Sequence, residues 1–337
     1  MLSNGISAGQ FLDELVEEVQ EAERVGFELV LVPEHHDGPP GLLADPLMVS
    51  AWILGKTDQI RVGPGVLILP LYSIARLGEQ AALLQHASKG RLVLGVGAGY
   101  QESDFIRFGV DATKRTALLT QGLVSLRAGW LAEQDVELVR PVLDSVSPPP
   151  LWLGAWSKRG IERAVSLADG WIADPVHTTA EVAAMTNEYV TLARSVDREP
   201  HVIAMRELWV DESDDSARDV YGPVVEPIFR YYLKSGAMAG SALKAVDLRI
   251  DGALADRVMC GSIETVTEKL CEFHAGVGAS SYVFSLRHPG GPSHVRVLEA
   301  IRRLGNEVLP EFQARTALVQ TATASSAVGQ TYAQGAM

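Results

Sequence analysis

Cysteine is nearly absent from these 337 residues; Cys260 and Cys271 are the only two. That excludes a disulfide framework, and two reduced thiols in a cytoplasmic protein are the expectation. Basic residues are also scarce, with 29 Lys and Arg against 42 Asp and Glu and a formal charge of −13. Surfaces for nucleic acid or anionic membrane need clustered positive charge, so neither partner is expected, and any anion must be caught locally. No apolar run reaches the length of a membrane span. The opening MLSNGISAGQ lacks the basic start and apolar stretch of a secretory signal, so the localisation read from the sequence is cytoplasmic. A dinucleotide fingerprint is missing too, because the third glycine position counted from Gly97 and Gly99 is Glu102.

Apolar residues are plentiful, at 47% of the chain, enough for a large core. Their spacing switches repeatedly between helical and strand periods. Strands are predicted at about 27–32, 60–69, 91–97, 151–154, 170–173, 201–210 and 281–286, with helical segments between them. Strand–helix alternation implies parallel strands joined by right-handed crossovers. Seven strands are one short of a closed (β/α)8 barrel, and the missing one should precede the first helix. The expected organisation is a single barrel domain over 1–312, with a helical insertion at about 211–256 that suits a lid. A flexible tail is expected over 313–337.

Three motifs stand at the C-terminal ends of predicted strands, where barrel enzymes carry their chemistry. In LGVGAGY, Gly95, Gly97 and Gly99 alternate, so one strand face has no side chains. Either a neighbouring backbone approaches closely there, or a cavity remains for a flat ring. In EHHD, residues 34 to 37, adjacent side chains diverge, which weakens a shared metal site; none is expected. One histidine should face the cavity as an acid–base group while the other is hydrogen-bonded structure. In LGAWSKRGIERAV, Ser157 is a natural helix N-cap, followed by Lys158 and Arg159. Cations there oppose the helix dipole unless an anion such as phosphate sits at that end; the alternative is a solvated helix start.

The run from VPEHHDGPPG through SKGRLVLGVGAGYQESDFIRFG, then PPLWLGAWSKRGIERAVSLADGW, CGSIETVTEKL and VLPEF, resembles the bacterial luciferase-like flavin monooxygenase family over roughly residues 11 to 312. The resemblance implies an α/β fold of the TIM type, a (β/α)8 barrel binding FMN, or in one branch a deazaflavin, at its mouth. It matches His35 to the catalytic histidine and His36 to its partner. It sets Gly97 and Gly99 beside the flavin, and Ala155, Trp156, Ser157, Lys158 and Arg159 at its phosphate. Luciferase has a reactive cysteine at the position of Gly97 and an arginine at that of Ala98, so light emission is not expected. The implied activity is monooxygenation of a small organic substrate with O2 and with reduced FMN from a separate flavin reductase, in a homodimer. The alternatives are a deazaflavin-dependent dehydrogenase or reductase and a non-catalytic flavin-binding relative. The absent first strand implies either that the true start lies upstream or that the barrel has an open seam, for which the tail segment LVQTATA is one candidate filler.

Overall fold

The computed structural model describes residues 5–37, 43–131, 146–238, 243 and 248–317. The tail from 318 onward, which includes LVQTATA, and the greater part of the connector before residue 150 lie outside the described residues. The strands are β1 (Leu29–Val32), β2 (Arg61–Pro64), β3 (Leu67–Ile68), β4 (Leu94–Gly97), β5 (Leu151–Gly154), β6 (Gly170–Ala173), β7 (Val202–Val210), β8 (Val258–Gly261) and β9 (Ser281–Ser285). The helices are α1 (Ala8–Arg24), α2 (Pro46–Leu54), α3 (Ile74–Ala87), α4 (Glu102–Arg107), α5 (Arg115–Leu131), α6 (Lys158–Leu167), α7 (Thr179–Ser195), α8 (Asp214–Ser235), α9 (Ile263–Val277) and α10 (His294–Arg303). Their starts follow local chemistry. Ser7, Asp45, Ser157, Thr178, Ser213 and Ser262 each accept a backbone N–H of the first turn, and Thr178 with Glu181 completes a capping box.

Every named strand pair is parallel. β1 pairs with β2, and β3, β4, β5, β6 and β7 follow in order. β2 and β3 are two halves of the predicted strand 60–69, joined through Gly65–Val66, and a bridge from Val62 to Leu92 links β2 to the approach to β4. The long β7 then serves two partners. Its first part, Ile203–Glu207, pairs with β9, and its last part, Glu207–Val210, with β8. β8 is absent from the strand prediction, because four residues between helical runs carry too short a period to read. The described strands therefore form a parallel α/β array, and among the described residues no strand precedes α1. The last helical stretch continues to residue 317, past the expected domain end at 312. Cys260 and Cys271 are unbridged.

Among the described residues β1 and β9 are neighbours without a ladder between them. An inserted strand would hold them about 9.6 Å apart, two strand spacings. They instead approach to within 8 Å between Cα atoms, so side chains have drawn the seam in. Leu29 and Leu31 of β1 and Val283 of β9 pack in one inner cluster with Val66, Val93, Trp152, Ile172, Ile203 and Met205. A second, larger cluster fills the layer between strands and helices.

Gly95 and Gly97 belong to that inner packing, the close-approach alternative of the two read from the sequence. A Cβ on Gly97 would stand 2.8 Å from Val66 Cγ2, and one on Gly95 2.6 Å from the Pro64 carbonyl and 2.9 Å from Ile172 Cδ1. Gly99, at φ +72°, packs beneath Ile68 and Phe105. In a strongly curved sheet a bare strand face is filled from the strands beside and across it.

Outside the seam, α1 runs alongside α10 and grips it electrostatically. Arg287 reaches Glu14 and Glu18, His294 sits 2.9 Å from both Glu17 and Glu18, and Arg302 meets Glu21. Burial pulls the His294 pKa down, but the Glu18 and Glu17 carboxylates outweigh it and leave the value raised. Its contribution to stability is therefore fully present below the ordinary value of 6.5 and disappears as pH rises through the higher folded value.

Two predictions follow from this packing. Gly63→Ala would bring a Cβ to 1.8 Å from the Val93 carbonyl oxygen, whereas one on Gly55 at the end of α2 meets only ordinary contacts, the nearest at 3.6 Å. Chemical denaturation should show Gly63→Ala losing about 3 kcal/mol or more and Gly55→Ala shifting by about 0.5 kcal/mol or less. For the clamp, His294→Gln should lower the melting temperature below pH 6.5 and leave it unchanged at alkaline pH; an equal loss at every pH would refute the charge argument.

Candidate active site

The C-terminal ends of β1, β4, β5, β6, β7 and β9 converge on one mouth. Past β1, Glu34 is buried and His35 and His36 half-buried. His36 Nε2 lies 2.6 Å from Glu34 Oε1, Tyr72 donates its hydroxyl to the same oxygen at 3.1 Å, and the Ile68 N–H donates to Oε2 at 2.6 Å. Burial raises the Glu34 pKa against the opposing pull of these donors. Phe108 closes the other side of His36, ring centroids 4.6 Å apart. His36 is thus a held, hydrogen-bonded ring. His35 has no such carboxylate; burial, then the charges of His288 and His36, push its pKa down to about 4. At neutral pH His35 is an uncharged imidazole, able to accept a proton or a hydrogen bond.

The β5 side carries the helix-start motif. Gly154, Ala155 and Trp156 are half-buried, and Ser157, Lys158 and Arg159 are exposed. Ser157 Oγ accepts the Gly160 N–H at 3.1 Å, so the N–H groups of Lys158 and Arg159 are the open donors of this helix end. The Trp156 ring stacks on His177, centroids 3.5 Å apart, and its indole N–H is buried with no acceptor among the described residues. Asp174, after β6, holds His177 Nδ1 at 2.9 Å. A buried orphan donor, open backbone N–H groups and two cations fit an anionic group such as a flavin phosphate.

The sequence-derived residues thus fall on two sides of one mouth. His35 and His36 stand together, Ala155 to Arg159 form the opposite rim, and Gly97 and Gly99 lie in the wall between, with Val66 seated over Gly97. Of the aromatics, Tyr231 of α8 does reach the mouth, its hydroxyl 2.5 Å from the Asp37 carbonyl and 2.9 Å from Gln101 Oε1. Trp52 does not; it lies exposed on α2 under Lys56. Phe105 is core. Sequence reasoning missed Glu207, on the inner face of β7, and His288, just after β9. The signals were an acid inside the apolar strand HVIAMRELWV and a histidine in RHPGGP directly behind SYVFSL. Among the described residues no three His, Cys, Asp or Glu side chains cluster as metal ligands, and no helix is long and apolar enough to cross a membrane.

Histidine NMR of the flavin-free protein tests the mouth electrostatics. The His35 ring should stay neutral from pH 7 down to near pH 4, and a His35 signal titrating near 6.5 would show the site to be wetter than its packing implies.

Comparisons with known proteins bear on the fold and the family. The flavin-dependent trigonelline monooxygenase oxygenase component of Acinetobacter baylyi is 23% identical, over 90% of each chain. Among solved structures, monooxygenase RslO1 of Streptomyces bottropensis superposes with a TM-score of 0.80 at 20% identity, covering 92% of this chain and 97% of that one. The oxygenating constituent of 3,6-diketocamphane monooxygenase of Pseudomonas putida, a type II Baeyer–Villiger enzyme in complex with FMN, gives 0.73 at 17%, covering 91% and 95%. The coenzyme F420-dependent tetrahydromethanopterin reductase of Methanopyrus kandleri gives 0.64 at 19%, covering 89% and 96%. These structural likenesses show the fold. The description "luciferase-like monooxygenase" matches residues 2–280, and the chain belongs to that family of oxidoreductases.

Proposed function

We propose that this chain is the oxygenase component of a two-component monooxygenase, taking reduced FMN from a separate flavin reductase in the cytoplasm and transferring one atom of O2 to a small organic substrate. The observation that carries this reading is the uncharged His35 beside the held Glu34–His36 pair, facing an anion-ready helix start across a luciferase-like mouth. Reduced FMN, when bound, supplies the two electrons that let one oxygen atom enter the substrate while the other leaves as water. The chain's share is binding, orientation and proton control. Lys158, Arg159, their backbone N–H groups and the Trp156 indole hold the phosphate. Val66, over Gly97, is the wall beside the ring. His35 accepts and returns a proton at the reacting end, and the Glu34 and Phe108 contacts keep His36 from swinging into its place. Tyr231, tied to Asp37 and Gln101, limits entry of water. Met48 and Trp52 on α2 and Leu83 on α3 are exposed apolar side chains suited to a homodimer contact.

The F420-dependent neighbour supports a second reading, hydride transfer with a deazaflavin and no oxygen. Titration with reduced FMN and with reduced deazaflavin, followed by oxygen uptake, separates the two. The first reading expects FMN to bind and oxygen to be consumed; tight binding of deazaflavin alone would replace it. Lys158→Ala combined with Arg159→Ala should weaken FMN about tenfold or more, through loss of charge-assisted contacts. His35→Ala should keep FMN affinity while product formation falls about a hundredfold.

A further inference from the structure

The mouth holds a second imidazole–carboxylate chain. His288 Nε2 lies 2.6 Å from Glu207 Oε2, with the two side chains 9% and 1% exposed. Glu207 projects inward from β7, in register with Ser285 of β9. The Tyr221 hydroxyl of α8 stands 2.8 Å from Glu207 Oε2 and equally far from the Ser285 carbonyl oxygen. This Tyr–Glu–His order repeats Tyr72–Glu34–His36 on the other side of the seam. His35 is an electrostatic neighbour of His288 and of His36. The titratable groups facing the chain are His35 after β1, Tyr221 and Tyr232 on α8, and Glu207 itself.

Packing does not explain this arrangement. Glu207 Oε1 is buried with no partner among the described residues, a stability cost that a leucine at the same inner position would avoid. Such a cost is retained where a carboxylate fixes a ring and matches its charge.

We propose that His288, oriented by Glu207 and Tyr221, is a second proton-handling residue of this mouth, working across the β1–β9 seam from His35. The reaction it serves rests on the monooxygenase reading above; its orientation does not. With Nε2–H directed to Glu207, the lone pair is on Nδ1. A proton leaving an oxygen of the bound reactants forms the Nδ1–H bond, the carboxylate matches the new positive charge, and the reverse transfer restores the neutral ring. The two histidines then have unequal tasks, because only His288 has an anion at its back.

Two measurements decide. Nitrogen-15 NMR of the flavin-free protein should find neutral His288 as the Nε2–H tautomer in the wild type, and a shift toward Nδ1–H in Glu207→Gln. An Nδ1–H ring in the wild type would overturn the proposal. Mixing the reduced-FMN complex with oxygenated buffer should show flavin reoxidation slowed about a hundredfold in His288→Gln and Glu207→Gln, with FMN affinity unchanged. Reoxidation at the wild-type rate in His288→Gln would also overturn it. A wild-type protein that ignores reduced FMN would sink the monooxygenase reading alone, and the tautomer would still decide how His288 is held.

Discussion

Where β1 and β9 meet with no ladder among the described residues, side chains must close the interior, and the rest of this molecule answers to that constraint. Leu29, Leu31, Val283 and Met205 meet in the inner cluster where backbone hydrogen bonds would otherwise run. The same demand for filling brings Val66 down onto Gly97 and Gly154, and Ile172 onto Gly95. Glycine on one wall and bulk on its neighbours are two halves of one packing solution. The mouth inherits the result. Because β1 and β9 have drawn together, the groups just past their ends, His35 and His288, become electrostatic neighbours.

That proximity gives the mouth its proton chemistry. Three imidazoles share it, and their hydrogen-bond partners differ. Two have carboxylates behind them and a tyrosine hydroxyl on each carboxylate. The third, His35, has no carboxylate behind it, and burial above all pushes its pKa down to about 4. A site that must hold a proton in one place and accept one in another needs such a difference, and a hydrophobic mouth with identical histidines would not supply it.

Much of this was legible in the residues. Short apolar runs bounded by turns marked seven strands, because several of them are buried on both faces. EHHD read as a mouth motif because it follows such a run directly, and Ser157 read as a cap because its side chain has no better role at that point. The losses have physical causes. β8 is too short to show a period, and it exists because the far end of β7 offers it a ladder. The glycine wall read equally as cavity or close approach, since one strand's sequence is silent about what its neighbours project. Glu207 was hidden by its apolar surroundings, and its partners come from α8 and from beyond β9, far away along the chain.

The α1–α10 clamp has a consequence of its own. Inside, this closure is apolar, but its outer layer depends on charge: Glu14, Glu17, Glu18 and Glu21 on one helix face Arg287, His294 and Arg302. Dissolved ions screen the exposed Arg302–Glu21 contact readily and the sheltered Arg287 pairs hardly at all. Rising ionic strength should therefore loosen the ring from its outer rim inward, so that this seam is the first part of the molecule to breathe in concentrated salt.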